Sequence, residues 1–147
     1  MTQESSTKTS EKVPNNYTLC IKGDCPKAAN CLRHVAMAMM PAEVERWQIV
    51  SPAYLAQMEG ECPHYRSAEK VKYARGFVRM MSALTVKQAH VVKDSIVATF
   101  GMNMYYRMRR GERLITPTEQ EAIYQMLEQQ GITTRPEFDA YIEDYLW

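Results

Sequence analysis

Signs of export are scarce in this sequence: Met1 to Ser10 is polar, with no basic stretch running into an apolar core of the kind that directs export, so a cytoplasmic protein is expected. It lacks long apolar runs too. The nearest, Ala36-Met37-Ala38-Met39-Met40, stops at Pro41, far short of the roughly 20 residues a membrane-spanning helix needs. There is no internal repeat and no low-complexity core segment. Phosphate-cradling G-x-x-x-x-G-K, the dinucleotide signature G-x-G-x-x-G, the zinc-protease H-E-x-x-H and the redox pair C-x-x-C are all missing. Histidine is scarce, and no motif ties His34, His64 or His90 to a nucleophile or a carboxylate. These absences exclude the common signatures of catalysis and point to a cytoplasmic protein with no membrane partner. At 147 residues, 46% of them hydrophobic, the chain is long enough to bury one core without help.

What is present is a set of four cysteines, Cys20, Cys25, Cys31 and Cys62, all in the N-terminal half. In a reducing compartment such a set reads as thiolate ligands rather than disulfides. Four thiolates complete either a tetrahedral zinc site or an iron-sulfur cluster. The spacing C-x4-C-x5-C-x30-C-P lacks the paired C-x2-C of zinc knuckles, and proline after the last cysteine also occurs in ferredoxin-type motifs, which leans toward a cluster. The competing view treats the cysteines as small buried hydrophobes. A helix running unbroken from Pro26 would separate Cys25 and Cys31 by about 9 Å along its axis. Common ligation therefore requires a helix that starts near Asn30 and ends near Met40, with Cys25 in a loop and Cys31 in the first turn. His34 and His64 are alternate ligands by proximity to Cys31 and Cys62. Cys20-Cys25-Cys31-His34 superficially resembles three-cysteine, one-histidine zinc fingers, but its gaps depart from theirs and the assignment is not adopted.

Residues 1–16 are rich in Ser, Thr, Lys and Glu and read as a flexible arm ahead of a single domain over 17–147. Within it, 17–66 is an irregular Cys-rich section, with Ser51-Pro52 favouring extended or turn geometry, and 67–147 is a helical body. The fold class expected is mainly α, a single-domain helical bundle carrying that irregular section. Thr85-Val86-Lys87-Gln88 and Thr116-Pro117-Thr118-Glu119 are capping boxes that open helices ending near Gly101 and Gly131. A basic helix covers about Met102 to Arg110. Phe138, Tyr141, Ile142, Tyr145 and Leu146 fall at helical spacing and predict a last helix over 136–146 that buries Tyr141 and Leu146.

Charge is distributed unevenly, with −1 over residues 1–62, +8 over 63–113 and −6 over 114–147. A basic stretch beside an acidic one has two physical outcomes: mutual compensation, the expected one, or an exposed surface for a nucleic acid or an acidic protein. On the second outcome the chain is a nucleic-acid-binding regulator using residues 66–113. Lys72, Arg75 and Arg79 would share a helical face, and Tyr105, Tyr106, Arg107, Arg109 and Arg110 would interleave ring stacking with phosphate contacts. A thiol redox enzyme is a third, weaker reading. The methionines, eleven in all, suit core filling.

The arrangement Cys-x4-Cys-Pro, Cys31-Leu32-Arg33, Cys62-Pro63-His64-Tyr65, Gly101, Tyr105-Tyr106-Arg107, Gly111-Glu112-Arg113 and Phe138-Asp139-x-Tyr141 resembles an uncharacterised bacterial domain family of unknown function from gut anaerobes. The likeness spans most of the chain after Tyr17 and implies no activity.

Overall fold

The computed structural model describes residues 13–147, so most of the arm expected over 1–16 lies outside the described residues. In chain order the elements are α1 (Leu32–Met39), α2 (Pro52–Gln57), β1 (Lys70–Arg75), α3 (Val78–Ser82), α4 (Val86–Phe100), α5 (Met102–Arg109), α6 (Pro117–Gln129) and β2 (Ala140–Tyr145). A single turn of 3-10 helix, Ala28–Asn30, precedes α1. These elements fall into two compact units, one made of the described residues up to Lys70 with 144–147 and the other of 71–143.

The helical-bundle expectation is overturned: among the described residues six helices accompany a two-stranded antiparallel sheet, and the fold is mixed α and β. The expected last helix over 136–146 is instead strand β2, paired with β1. Tyr141, Ile142 and Tyr145 are β-formers, and here pairing with another strand outweighs a helical spacing read over a short window. Leu146 is 47% exposed and Tyr141 only half-buried, contrary to the stripe expected of them. Lys72 and Arg75 consequently lie on a strand and Arg79 on a helix, so the three share no helical face. Cations lie over rings along the pair, Lys72 Nζ 4.5 Å from the centre of Tyr141 and Lys70 Nζ 5.3 Å from that of Tyr145.

In the unit of residues 71–143, local signals operate as written. Thr85 and Thr116 each accept from the third residue of their helix, while Gln88 and Glu119 reach back to the cap amides. Gly101 (φ +91°) ends α4 and opens α5, and Gly131 (φ +79°) follows α6. The core gathers Phe77, Met80, Val92, Ile96, Tyr105, Met108, Ile115, Ile123, Leu127 and Phe138. Asp139 fastens this body at one more point, its carboxylate accepting from the backbone N–H of Val78 (2.9 Å) and Arg79 (3.0 Å) at the start of α3.

The other unit is held more by backbone bridges than by bulk. Leu19 bridges Ile49 in parallel, and Cys31 bridges Ser67 in antiparallel fashion. Its buried side chains are few: Leu19, Ala28, Cys31, Leu32, Ala36, Val50 and Leu55. Ser51 stays extended before proline and caps α2, with Pro52 at the first helical position, so a short helix stands where a turn was expected.

Candidate functional site

Each cysteine is placed by a different piece of local structure. Cys20 follows the Leu19 bridge; its N–H donates to Arg33 O (3.1 Å), which fixes it beside the first turn of α1. Cys25 sits in a turn, its N–H donating to Lys22 O (3.4 Å) and its carbonyl accepting from Ala28 (3.0 Å). Cys31 stands at the N-cap of α1, its side chain making no cap hydrogen bond. The helix therefore starts one residue later than expected, with Cys31 rather than Asn30 at its cap. Cys62 opens the turn Cys62-Pro63-His64-Tyr65, closed by Tyr65 N–H to Cys62 O at 3.2 Å.

These four positions line one cavity of about 50 Å³, and His34 and His64 line it with them. Cys31 is buried, the other three are half-buried, and all four thiols are free. Every charged side chain on that wall is a cation, namely Lys22, Lys27 and Arg33. Among the described residues no three His, Cys, Asp or Glu side chains stand close enough together to hold a metal ion as placed. The thiols face one space without meeting in it.

His34 is oriented by its backbone neighbour. Its Nδ1 lies 3.0 Å from Cys20 O, and since a carbonyl only accepts, Nδ1 carries a proton; of the two neutral tautomers the contact selects the one with the lone pair on Nε2. That is the arrangement of a metal-binding histidine. His64 is held differently, its ring edge-on to Tyr54 at 5.7 Å.

Sequence reasoning missed Arg33. Its Nε donates to His64 O (2.7 Å) and its Nη1 to Thr18 O (2.8 Å), while the guanidinium lies 5.1 Å from the centre of the Tyr17 ring. One side chain thereby ties the segment entering Cys20, the helix behind Cys31 and the turn after Cys62. Carbonyl partners have no residue identity, so only its place between Cys31 and His34 could have drawn attention to it. Tyr17 beneath it has its hydroxyl pushed above the usual phenol range by burial; the cations Arg33 and Arg66 oppose that rise, and Cys31 adds to it. The buried Tyr17 hydroxyl has no hydrogen-bond partner among the described residues.

A family of unknown function (DUF6078) matches residues 1–147. The chain belongs to this family. No curated protein and no solved structure matches it.

Elsewhere in this DUF6078 chain, the residues considered for nucleic-acid contact are dispersed. Lys72 is engaged with Tyr141, and Arg75 Nε donates to Gly111 O at 3.2 Å. Tyr105 is 3% exposed and cannot serve as a stacking platform, whereas Tyr106 is exposed. Compensation by acidic groups is partial. Arg113 holds Glu119 through a fork of 2.9 and 2.8 Å, and Arg110 pairs with Glu112 at 3.0 Å. Arg107 and Arg109 have no carboxylate partner among the described residues. No helix of the described residues is long and apolar enough to cross a membrane.

Proposed function

We propose that this protein binds one soft metal ion, zinc in the first instance, through the thiolates of Cys20, Cys25, Cys31 and Cys62, with His34 and then His64 as alternate ligands. The ion's role is structural, closing the loop-rich unit in which all six residues lie. The observation that carries this reading is the shared cavity: four cysteines from separate segments line one small space whose charged neighbours are all cations. A zinc ion with four thiolates bears net negative charge, which Lys22, Lys27 and Arg33 offset, and thiolate donors select soft or borderline metals. Ligation draws the thiols inward from the wall, a side-chain movement rather than a change of fold.

An iron-sulfur cluster is the second reading, supported by the Cys62-Pro63 step. The size of the cavity, about 50 Å³, favours a single ion over a cluster of several iron and sulfide atoms. Anaerobic purification followed by elemental analysis separates the two. The expected result is one zinc per chain, no visible absorbance, thiolate charge-transfer bands after cobalt(II) exchange, and loss of both metal and bands in Cys62→Ser. Stoichiometric iron and acid-labile sulfide with a visible spectrum transfers the site to a cluster. A protein that takes up neither zinc, cobalt nor iron overturns both readings and leaves the cysteines as buried apolar groups.

A further inference from the structure

The unit of residues 71–143 carries a groove of about 480 Å³ along α3, the first turns of α4 and the face of α5. It is apolar at Val78, Met81, Leu84 and Val86, and its basic liners are His90, Lys93 and Arg109. No carboxylate of the described residues lines it. Val78 is 43% and Val86 89% exposed. Isolated exposed apolar residues are ordinary, but these two flank one groove whose every ionisable charge is positive or neutral.

The cations are held ready for an anion. Lys93 Nζ lies 5.4 Å from the ring centre of Tyr106 and 5.6 Å from that of Tyr105, and donates to Tyr106 Oη at 3.3 Å. Aromatic support keeps its ammonium in place without neutralising it. Arg109 has no carboxylate partner among the described residues. His90 is already engaged with Asp94, one turn along α4, at 3.4 Å.

We infer that this groove binds an acidic amphipathic peptide segment of a partner protein, its apolar face on Val78, Met81, Leu84 and Val86 and its carboxylates on Lys93 and Arg109. Charge complementarity selects the acid, and the exposed apolar residues select a segment with an apolar stripe. A nucleic acid fits less well, because its phosphates reward the cations but nothing in its backbone rewards the valines, and Tyr105 is too buried to stack on a base.

The test uses the full chain and three fluorescent probes: a short helical peptide with leucine on one face and glutamate on the other, its glutamine counterpart, and a mixed-sequence single-stranded oligonucleotide. The glutamate peptide should bind at least about tenfold more tightly than the glutamine peptide and weaken as salt rises. Lys93→Glu with Arg109→Gln, and separately Val78→Asp, should each abolish the preference, while Arg46→Glu on the other unit leaves it unchanged. Circular dichroism melts of these surface variants confirm that each is folded. Equal binding of the two peptides, preference for the oligonucleotide, or self-association lost in Val86→Asp would each overturn the inference, the last by making a second copy of this chain the occupant.

Discussion

Arg33 shows how much of a site can rest on one residue that is not itself a ligand. Two carbonyls from separate segments, Thr18 O ahead of Cys20 and His64 O after Cys62, accept from the same guanidinium. Arg33→Met removes both bonds and leaves every thiol in the sequence. Residues that orient metal ligands in this way typically contribute 10- to 100-fold in affinity, so zinc should bind about that much more weakly when titrated against a chromophoric chelator. Arg33→Lys, which retains the charge but places its donors on one nitrogen in place of a planar fork, should lie between the two. Unchanged affinity in both variants would remove the clamp from the account. Tyr124 governs a second property. Burial first, then the neighbouring Tyr141, pushes its hydroxyl up to about 12. Its hydroxyl donates to Pro136 O at 3.0 Å. A raised folded-state value means that the unfolded chain ionises first. The contribution is complete below pH 10, the ordinary phenol value, and is lost as pH climbs toward about 12. Tyr124→Phe should therefore cost about 1 kcal/mol near neutrality and flatten the alkaline fall in denaturant stability.

At the scale of elements, the division between what could and could not be read in the sequence follows the range of the forces involved. Helices α4 and α6 were legible because a capping box is complete within four residues. β1 and β2 were not, because each depends on a partner far away in the chain, and Phe138 to Leu146 satisfies a helical spacing by coincidence with its β-forming content. The connection that fixes the second strand's start is Asp139, bonded to the N–H groups of Val78 and Arg79 and, through its own N–H, to Gly76 O at 2.9 Å. Asp139→Ala should cost about 1–2 kcal/mol, in the range of a lost helix cap. Gly76 has φ +76°, and a Cβ built there meets Asp139 Oδ2 at 2.8 Å. Gly76→Ala should consequently destabilise by more than about 1 kcal/mol. Part of that penalty should disappear in the double variant, because removing the Asp139 carboxylate removes the atom the methyl group strikes. Strict additivity in chemical denaturation would show that the clash is relieved in some other way.

The whole molecule contains two units with unequal cores, and this inequality bears on the proposed metal. The unit of residues 71–143 packs a contiguous set of large side chains, Phe77, Met80, Ile96, Met108, Ile123, Leu127 and Phe138 among them. The other relies on Leu19, Leu32, Val50, Leu55 and a few small residues. A core that small rarely holds a fold alone, and structural metals commonly supply the difference. Cysteine count and spacing singled out the four positions and the expectation that they converge, but the means of their gathering around one cavity was not legible, since it rests on the Leu19 and Cys31 bridges and on Arg33. Chelation of the zinc-loaded protein should accordingly act on one unit. In hydrogen exchange, the amides of Leu19, Cys20, Leu32 and Val50, which donate to Gln48, Arg33, Arg66 and Leu19, should lose protection. Amides within α4 and α6, whose stability comes from burial of Val92, Ile96, Ile123 and Leu127, should keep theirs. Cys31→Ser without chelator should reproduce the same pattern, because it removes a ligand and leaves the apolar cores almost intact. Protection that stays the same at all four amides in the chelated protein would mean that the small core suffices without metal. The structural role proposed for the ion would then fall, even if the ion binds.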